Sequence, residues 1–276
     1  MENIFSYLLW IGFFFALAFP LIMSLHLIGP AEIGLVTKQW SWKGLGNDPI
    51  AFHGEAGYQA DLLMPGLRFK FWPLYIVRKY PWVQVPAAEI GVVIAQVGQP
   101  LAIGAKSARY KPEFGNFQDL RAFIAGGGQK GVQRPVLMPG SIIPLHPVAF
   151  FVLTERVKYG IALGQIHAPE KDSLMIQVVE PRRAQDGQTV DMVGIITALD
   201  GDPLPANAIA CRLGSFDDVT ALEAQGASDT DLSDLILGSK NQLHNNYQNF
   251  QRFLDSGGRI GVQHDPLLTG AYAINP

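Results

Sequence analysis

Cysteine is almost missing from this chain. Cys211 stands alone among 276 residues, so no intrachain disulfide and no cysteine-based zinc site can form. With no histidine beside it, it reads as a buried structural thiol rather than a nucleophile. An excess of positive charge is missing too: 21 Lys and Arg face 24 Asp and Glu, a formal net charge of −3. No basic cluster is present to grip phosphates, which argues against nucleic acid as a partner. Sustained heptads are also lacking, so no coiled coil is expected.

Catalytic and metal-binding patterns are equally scarce. His26, His53, His146, His167, His244 and His264 are scattered, with no HExxH or i, i+4 pair. GGGQKG at 126–131 resembles a phosphate loop, but no Ser or Thr follows its lysine. It reads as a helix stop and linker. The acids Asp217, Asp218, Glu223, Asp229, Asp231 and Asp234 lack the glycine and terminal glutamate of a calcium loop, and read as a solvated helix face. No GxSxG elbow presents a serine. An enzyme would have to assemble its site from dispersed groups such as His146, Glu155 and His167. The expectation is therefore no enzyme, no cofactor and no metal.

Two features stand out against these absences. The first is a run from Ile4 to Ile28 without Asp, Glu, Lys or Arg. As a helix it would reach roughly 37 Å, more than a hydrocarbon core of about 30 Å. Tyr7 and Trp10 stand where interfacial aromatics do, Phe13, Phe14, Phe15 and Phe19 would face lipid, and Pro20 is a tolerated kink. This predicts an uncleaved transmembrane anchor. Lys38, Lys43, Arg68 and Lys70 follow it, so the positive-inside bias puts the body in the cytoplasm.

The second feature is a threefold repetition. GYQADLLMPG at 57–66 returns as GVQRPVLMPG at 131–140 and GVQHDPLLTG at 261–270. PAEIGLV, PAAEIGVV and MVGII precede the copies, and each copy runs on to a proline: Pro73, Pro147 and Pro276. Agreement this extended signals tandem duplication. The turns of the repeat are placed at Gly57, Pro65, Gly66, Gly131, Pro139, Gly140, Gly261 and Gly270, with Pro-Gly supplying a type II turn between strands. EIGVVIAQV reads as a strand that returns as a hairpin through VGQPL. Phe117, Leu120, Phe123 and Ile124 share a helical face, with Asn116 as cap and Gly126–Gly128 as stop. NFQDLRAFIAGGGQKG matches NFQRFLDSGGRIG, whose helix is expected to run from near Ser228 or Thr230 to Asp255 with Leu232, Leu235, Ile236, Leu243, Tyr247, Phe250, Phe253 and Leu254 inward. The first unit has a loop there, in which Trp40 and Trp42 either meet lipid headgroups or cover the core.

The fold class expected is α+β: an anchor at 1–29, a first β module at 30–84, a second with a short helix at 85–165, and a third with a longer helix at 166–276. The third is expected to continue past Pro276.

PAEIGLV followed by LLMPGLRFKFWPLYIVRKY resembles the opening of the SPFH or band 7 domain of stomatin, prohibitin and flotillin, carried here by Pro30, Gly34, Pro65, Gly66, Leu67, Phe69 and Pro73. The repetition is similar to the tandem β repeats of the major vault protein. What the resemblance implies is SPFH-like modules in a membrane-anchored scaffold. Its partners would be the lipid bilayer, further copies of itself in a ring or cage, and other membrane proteins, organised into microdomains. The alternative is an accessory β-module subunit of a larger membrane complex.

Overall fold

A computed structural model describes residues 2–46, 48–165, 172–184, 186–204, 210–211, 220, 223–226, 228 and 239–276, with the side chains of residues 2–9, 11 and 17 left out. Most of the acidic segment, His167 and the start of the expected long helix lie outside the described residues.

Each unit opens with a strand, β1 (Leu25–Ile28), β7 (Val83–Gln84) or β13 (Gln177–Val179). The chain then turns into a β-branched strand: β2 (Glu32–Lys38), β8 (Gly91–Ala95) or β16 (Thr197–Ala198). The ten-residue repeat forms β4 (Gly57–Gln59), β9 (Gly131–Leu137) or β17 (Gly261–Val262), antiparallel to it in matching register. Thr37 faces Tyr58, Ile94 faces Val132 and Thr197 faces Val262. Beyond the turn come β5 (Gly66–Phe69), β10 (Ile142–Ile143) and β18 (Gly270–Tyr272), which close back on β1, β7 and β13. In the first two units a return strand follows, β6 (Tyr75–Pro81) on β2 and β11 (Phe150–Leu153) on β8. The smaller strands are β3 (Ile50–Ala51) beside β4, β12 (Lys158–Tyr159) beside β11, and β14 (Arg182–Arg183) with β15 (Thr189–Val190).

Two glycine sets explain why the letters recur. Gly57, Gly131 and Gly261 have φ of 116°, 106° and 117°, a region that penalises any Cβ. Gly34, Gly91 and Gly194 each lie against Leu63, Leu137 or Leu267, where an added Cβ would meet the leucine Cβ at 3.0, 3.1 and 3.2 Å. The Pro-Gly turn closes in the second copy, where Ser141 N donates to Met138 O at 3.1 Å. Gly66 and Gly140 have φ of 115° and 77°, whereas Gly270, preceded by Thr269, is not at positive φ.

Several expectations are corrected. The apolar amino end is a helix, α1 (Glu2–Met23), but among the described residues no helix is long and apolar enough to cross a membrane. The transmembrane anchor and the single-pass location, with Tyr7 to Pro20 as lipid contacts, are therefore overturned. Phe19 instead packs edge-on against Trp72 of the first unit, ring centres 5.4 Å apart. The α+β class with an anchor gives way to a mostly β arrangement, 32% strand against 14% helix among the described residues.

VGQPL does not make a hairpin. Beyond β8 the chain runs parallel to the repeat, pairing Gln99 with Gln129 and Ala108 with Gln133, because β9 and β11 already flank β8 on its two edges. The helices are short: α2 (Leu120–Ala125) and α3 (Phe250–Asp255). Their caps are Asp119, accepting from Ala122 N, and Asn249, accepting from Arg252 N. Asn116 is no cap. Gly115, Asn116 and Phe117 are left-handed at φ of 52°, 52° and 65°, and Asn245, Asn246 and Tyr247 repeat this at 48°, 52° and 63°. That tight left-handed corner breaks the longer helix expected in the third unit. It also shifts the alignment by three residues, so Asn116 matches Asn246 rather than Asn249. Trp40 and Trp42 are exposed, 66% and 106%, so they do not cover the core.

Three apolar clusters hold the array together. One joins Leu35, Ile50 and Ala60 of the first unit to the core of the second, where Phe114, Phe117, Phe123 and Phe150 pack edge to face. A second joins Ile90, Val92, Phe151 and Leu153 to Leu174 and Ala273 of the third unit. The third unit has its own core around Phe253, Tyr247 and Leu267. Phe123→Ala, at a site with 0% exposure, should cost about 3–5 kcal/mol in urea unfolding, the range for truncating a buried aromatic; a loss under about 1 kcal/mol would contradict this packing.

Candidate interaction site: the repeated junction between units

The shared glutamine of the repeat organises each junction. The Nε2 of Gln59 donates to the carbonyls of Glu55 and Gly57 at 2.9 and 3.0 Å. Gln133 does the same to Gln129 and Gly131, and Gln263 to Arg259 and Gly261, all between 2.8 and 2.9 Å. An amide has two donor hydrogens, and both are spent closing the loop. The glutamine's own backbone carbonyl is left pointing at the neighbouring unit.

That carbonyl receives the next unit. His146 Nε2 lies 3.0 Å from Gln59 O, and Asn275 Nδ2 donates to Gln133 O at 3.0 Å. His146 precedes Pro147 and Asn275 precedes Pro276, so one position of the repeat performs one task in two chemistries. A backbone bond, Ile176 N to Ala88 O at 2.8 Å, accompanies the second; its counterpart Trp82 N to Ala31 O at 2.9 Å extends the β2–β6 ladder within the first unit. Ala31 and Ala88 stand three residues before Gly34 and Gly91, so these bonds are equivalent as well.

The ring of His146 is buried, and its tautomer follows from its neighbours. Nδ1 accepts from Val148 N and Ala149 N at 3.3 and 3.1 Å, while Gln59 O can only accept, so Nε2 carries the proton. Burial without a counter-charge in contact pushes its pKa from 6.5 to about 4.

Polar side chains fix the register around this contact. Arg121 in α2 forks onto Asp61 of the first unit with two bonds of 2.8 Å and donates to Phe52 O. The hydrogen bond from Arg121 holds the Asp61 carboxyl below its usual range. In the third unit the equivalent α3 residue is Gln251, which accepts from Arg134 Nη1 at 2.9 Å. Ser107 bonds Asp200 through both its N–H and hydroxyl, and Arg109 reaches Asp255 at 3.4 Å. The ion pairs are solvent-exposed, so they select an alignment more than they add stability.

A cleft of about 480 Å³ between the first two units is lined by Asp61, Met64, Gln118, Arg121 and His146. Its histidine has both nitrogens engaged, Asp61 is held by Arg121, and Asp119, also in the lining, accepts from Ala122 N. Glu155 accepts from Asp172 N and is not near His146 in any described contact. Cys211 is buried and donates from Sγ to Ile260 O at 3.1 Å, its pKa raised by desolvation. Among the described residues no group of His, Cys, Asp or Glu could hold a metal ion.

The repeat turns named from the sequence frame the junction but do not make it. The contacts come from Gln59 and Gln133, His146 and Asn275, and Arg121 and Gln251. One signal was available: a polar residue directly before the proline that closes the second and third copies.

No family model matches the chain, and neither a curated protein nor a solved structure matches it. The SPFH, band 7 and flotillin terms thus gain no family support, and the reading below does not depend on them.

The histidine yields a pH prediction. Its neutral form is the folded form and its folded pKa lies below the unfolded value near 6.5, so its contribution is complete above that pH. It drains as pH falls toward about 4, a loss on the order of 3 kcal/mol. His146→Asn, copying Asn275, should keep the fold and flatten this acid limb in denaturant titrations from pH 7 to 4, whereas an unchanged limb would assign it to other groups.

Proposed function

We propose that this chain is a non-enzymatic assembly scaffold, working as a homo-oligomer whose β units exist to make side-by-side contacts. The observation that carries the reading is the duplicated junction: the same repeat carbonyl, with an equivalent α-helix residue beside it, is used between units one and two and again between two and three. A surface that has evolved to receive a copy of its own fold supports heterologous packing, which closes into rings where the rotation permits.

A second reading, an accessory subunit that offers its β units to a different protein, is favoured by the large apolar side chains that the first two units leave exposed, among them Trp40, Trp42 and Ile103. The two differ in what the purified chain does alone. Mass photometry and negative-stain imaging of the full chain at micromolar concentration should show one discrete, large assembly. A strictly monomeric particle that is recovered from its native source with a fixed stoichiometric partner would replace the first reading by the second.

A further inference from the structure

The second and third units share a left-handed corner but fill it differently. Asn116 matches Asn246, so Phe114 matches His244 and Phe117 matches Tyr247. Phe114 and His244 are both 0% exposed. Phe114 packs on Phe123 with ring centres 4.8 Å apart, and His244 packs edge-on against the matching Phe253 at 5.5 Å. An ionisable ring thus stands in the core of the third unit where the second has a phenyl ring.

The imidazole is held on one side only. Tyr247 N donates to Nδ1 at 2.9 Å. A backbone N–H can only donate, so the neutral ring carries its hydrogen on Nε2. Nε2 is buried and has no partner among the described residues. Asp265 and Tyr247 are the ionisable groups that face the ring among those residues. Asp265 accepts from Lys240 N at 2.7 Å and meets His264 Nδ1 at 3.2 Å. Burial pushes the His244 pKa below its ordinary 6.5, and the charge of Asp265 offsets only part of that. Tyr247 donates its hydroxyl to Asp265 O, and burial pushes its pKa up, so it stays neutral. α3 presents the apolar Phe253.

We propose that this corner is an acid-sensitive latch on the contact between the second and third units. A proton added to His244 goes to Nδ1, which turns an acceptor into a donor facing the N–H of Tyr247. Both nitrogens of an imidazolium donate, so no rotation of the ring restores the bond. The loss passes to α3, which follows the corner and carries the junction: Gln251 accepts from Arg134 Nη1 and Tyr110 N, and Asp255 pairs with Arg109. Gln248, within the corner, accepts from Ala273 N. The neutral ring is the folded form, so the latch is closed above pH 6.5 and loosens as pH falls below it. It stands on contacts within one chain and does not require the scaffold reading.

The test is amide hydrogen exchange on the full chain, with rates corrected for the intrinsic pH dependence. Protection at Tyr247, and at Tyr110, whose amide donates across the junction to Gln251, should fall about tenfold between pH 7 and 5.5. Two variants remove the titration. His244→Asn places an oxygen near the position of Nδ1 that accepts at every pH, and His244→Phe copies the second unit, so either one serves if the other fails to fold. In both, the fall should be lost at Tyr247 and at Tyr110. A flat Tyr247 profile in the unaltered chain, or an equal fall in the variants, would refute the latch. So would a fall at Tyr247 with none at Tyr110, which would confine the change to the corner and leave the junction untouched.

Discussion

A single side chain sets the geometry of each junction. The repeat glutamine satisfies two carbonyls of its own loop, and in doing so it holds its backbone carbonyl outward as a fixed acceptor. Leaving such a carbonyl unpaired at a buried junction would cost a desolvation penalty of about 1–3 kcal/mol. The following unit removes that penalty with one donor, from an imidazole in one case and a carboxamide in the other. The loop, the strand register and the inter-unit contact are thus one arrangement, which is why glycine, glutamine and leucine persist together through the three copies.

The apolar packing obeys the same logic. Each central strand turns alternate residues to its own core and to the next unit, so Val93 and Ala95 pack inward while Ile90 and Val92 meet Leu174 and Ala273. A strand with two buried faces reads as a continuous apolar run, and GVVIA is one. Stacked in this way, small units with little core of their own share their hydrophobic surface, as repeat architectures do. The same dependence exposes apolar side chains wherever a unit has no neighbour on its outer face.

Much of this was legible in the letters, and the failures have identifiable causes. Repetition, strand character and the closing prolines could be read because they rest on local backbone rules. The hairpin expected at VGQPL failed because a local turn signal cannot show that both edges of β8 are occupied by strands from later in the chain. The extended helix failed at Asn245, Asn246 and Tyr247, where three left-handed residues make a corner that an apolar stripe alone does not betray. The amino-terminal run was read on hydropathy and length alone, whereas among the described residues no helix is long and apolar enough to cross a membrane.

By itself the sequence determined that three related units exist, where their strands begin, and that no intrachain disulfide can form. These follow from composition and short-range stereochemistry, such as a glycine where φ is positive. Tertiary structure alone decided which strands pair, how one unit sits on the next, and that His146 and Asn275 do the same work. Those contacts join residues far apart in the chain, Gln59 to His146 and Gln133 to Asn275, and their formation depends on the shared burial that only the assembled array provides.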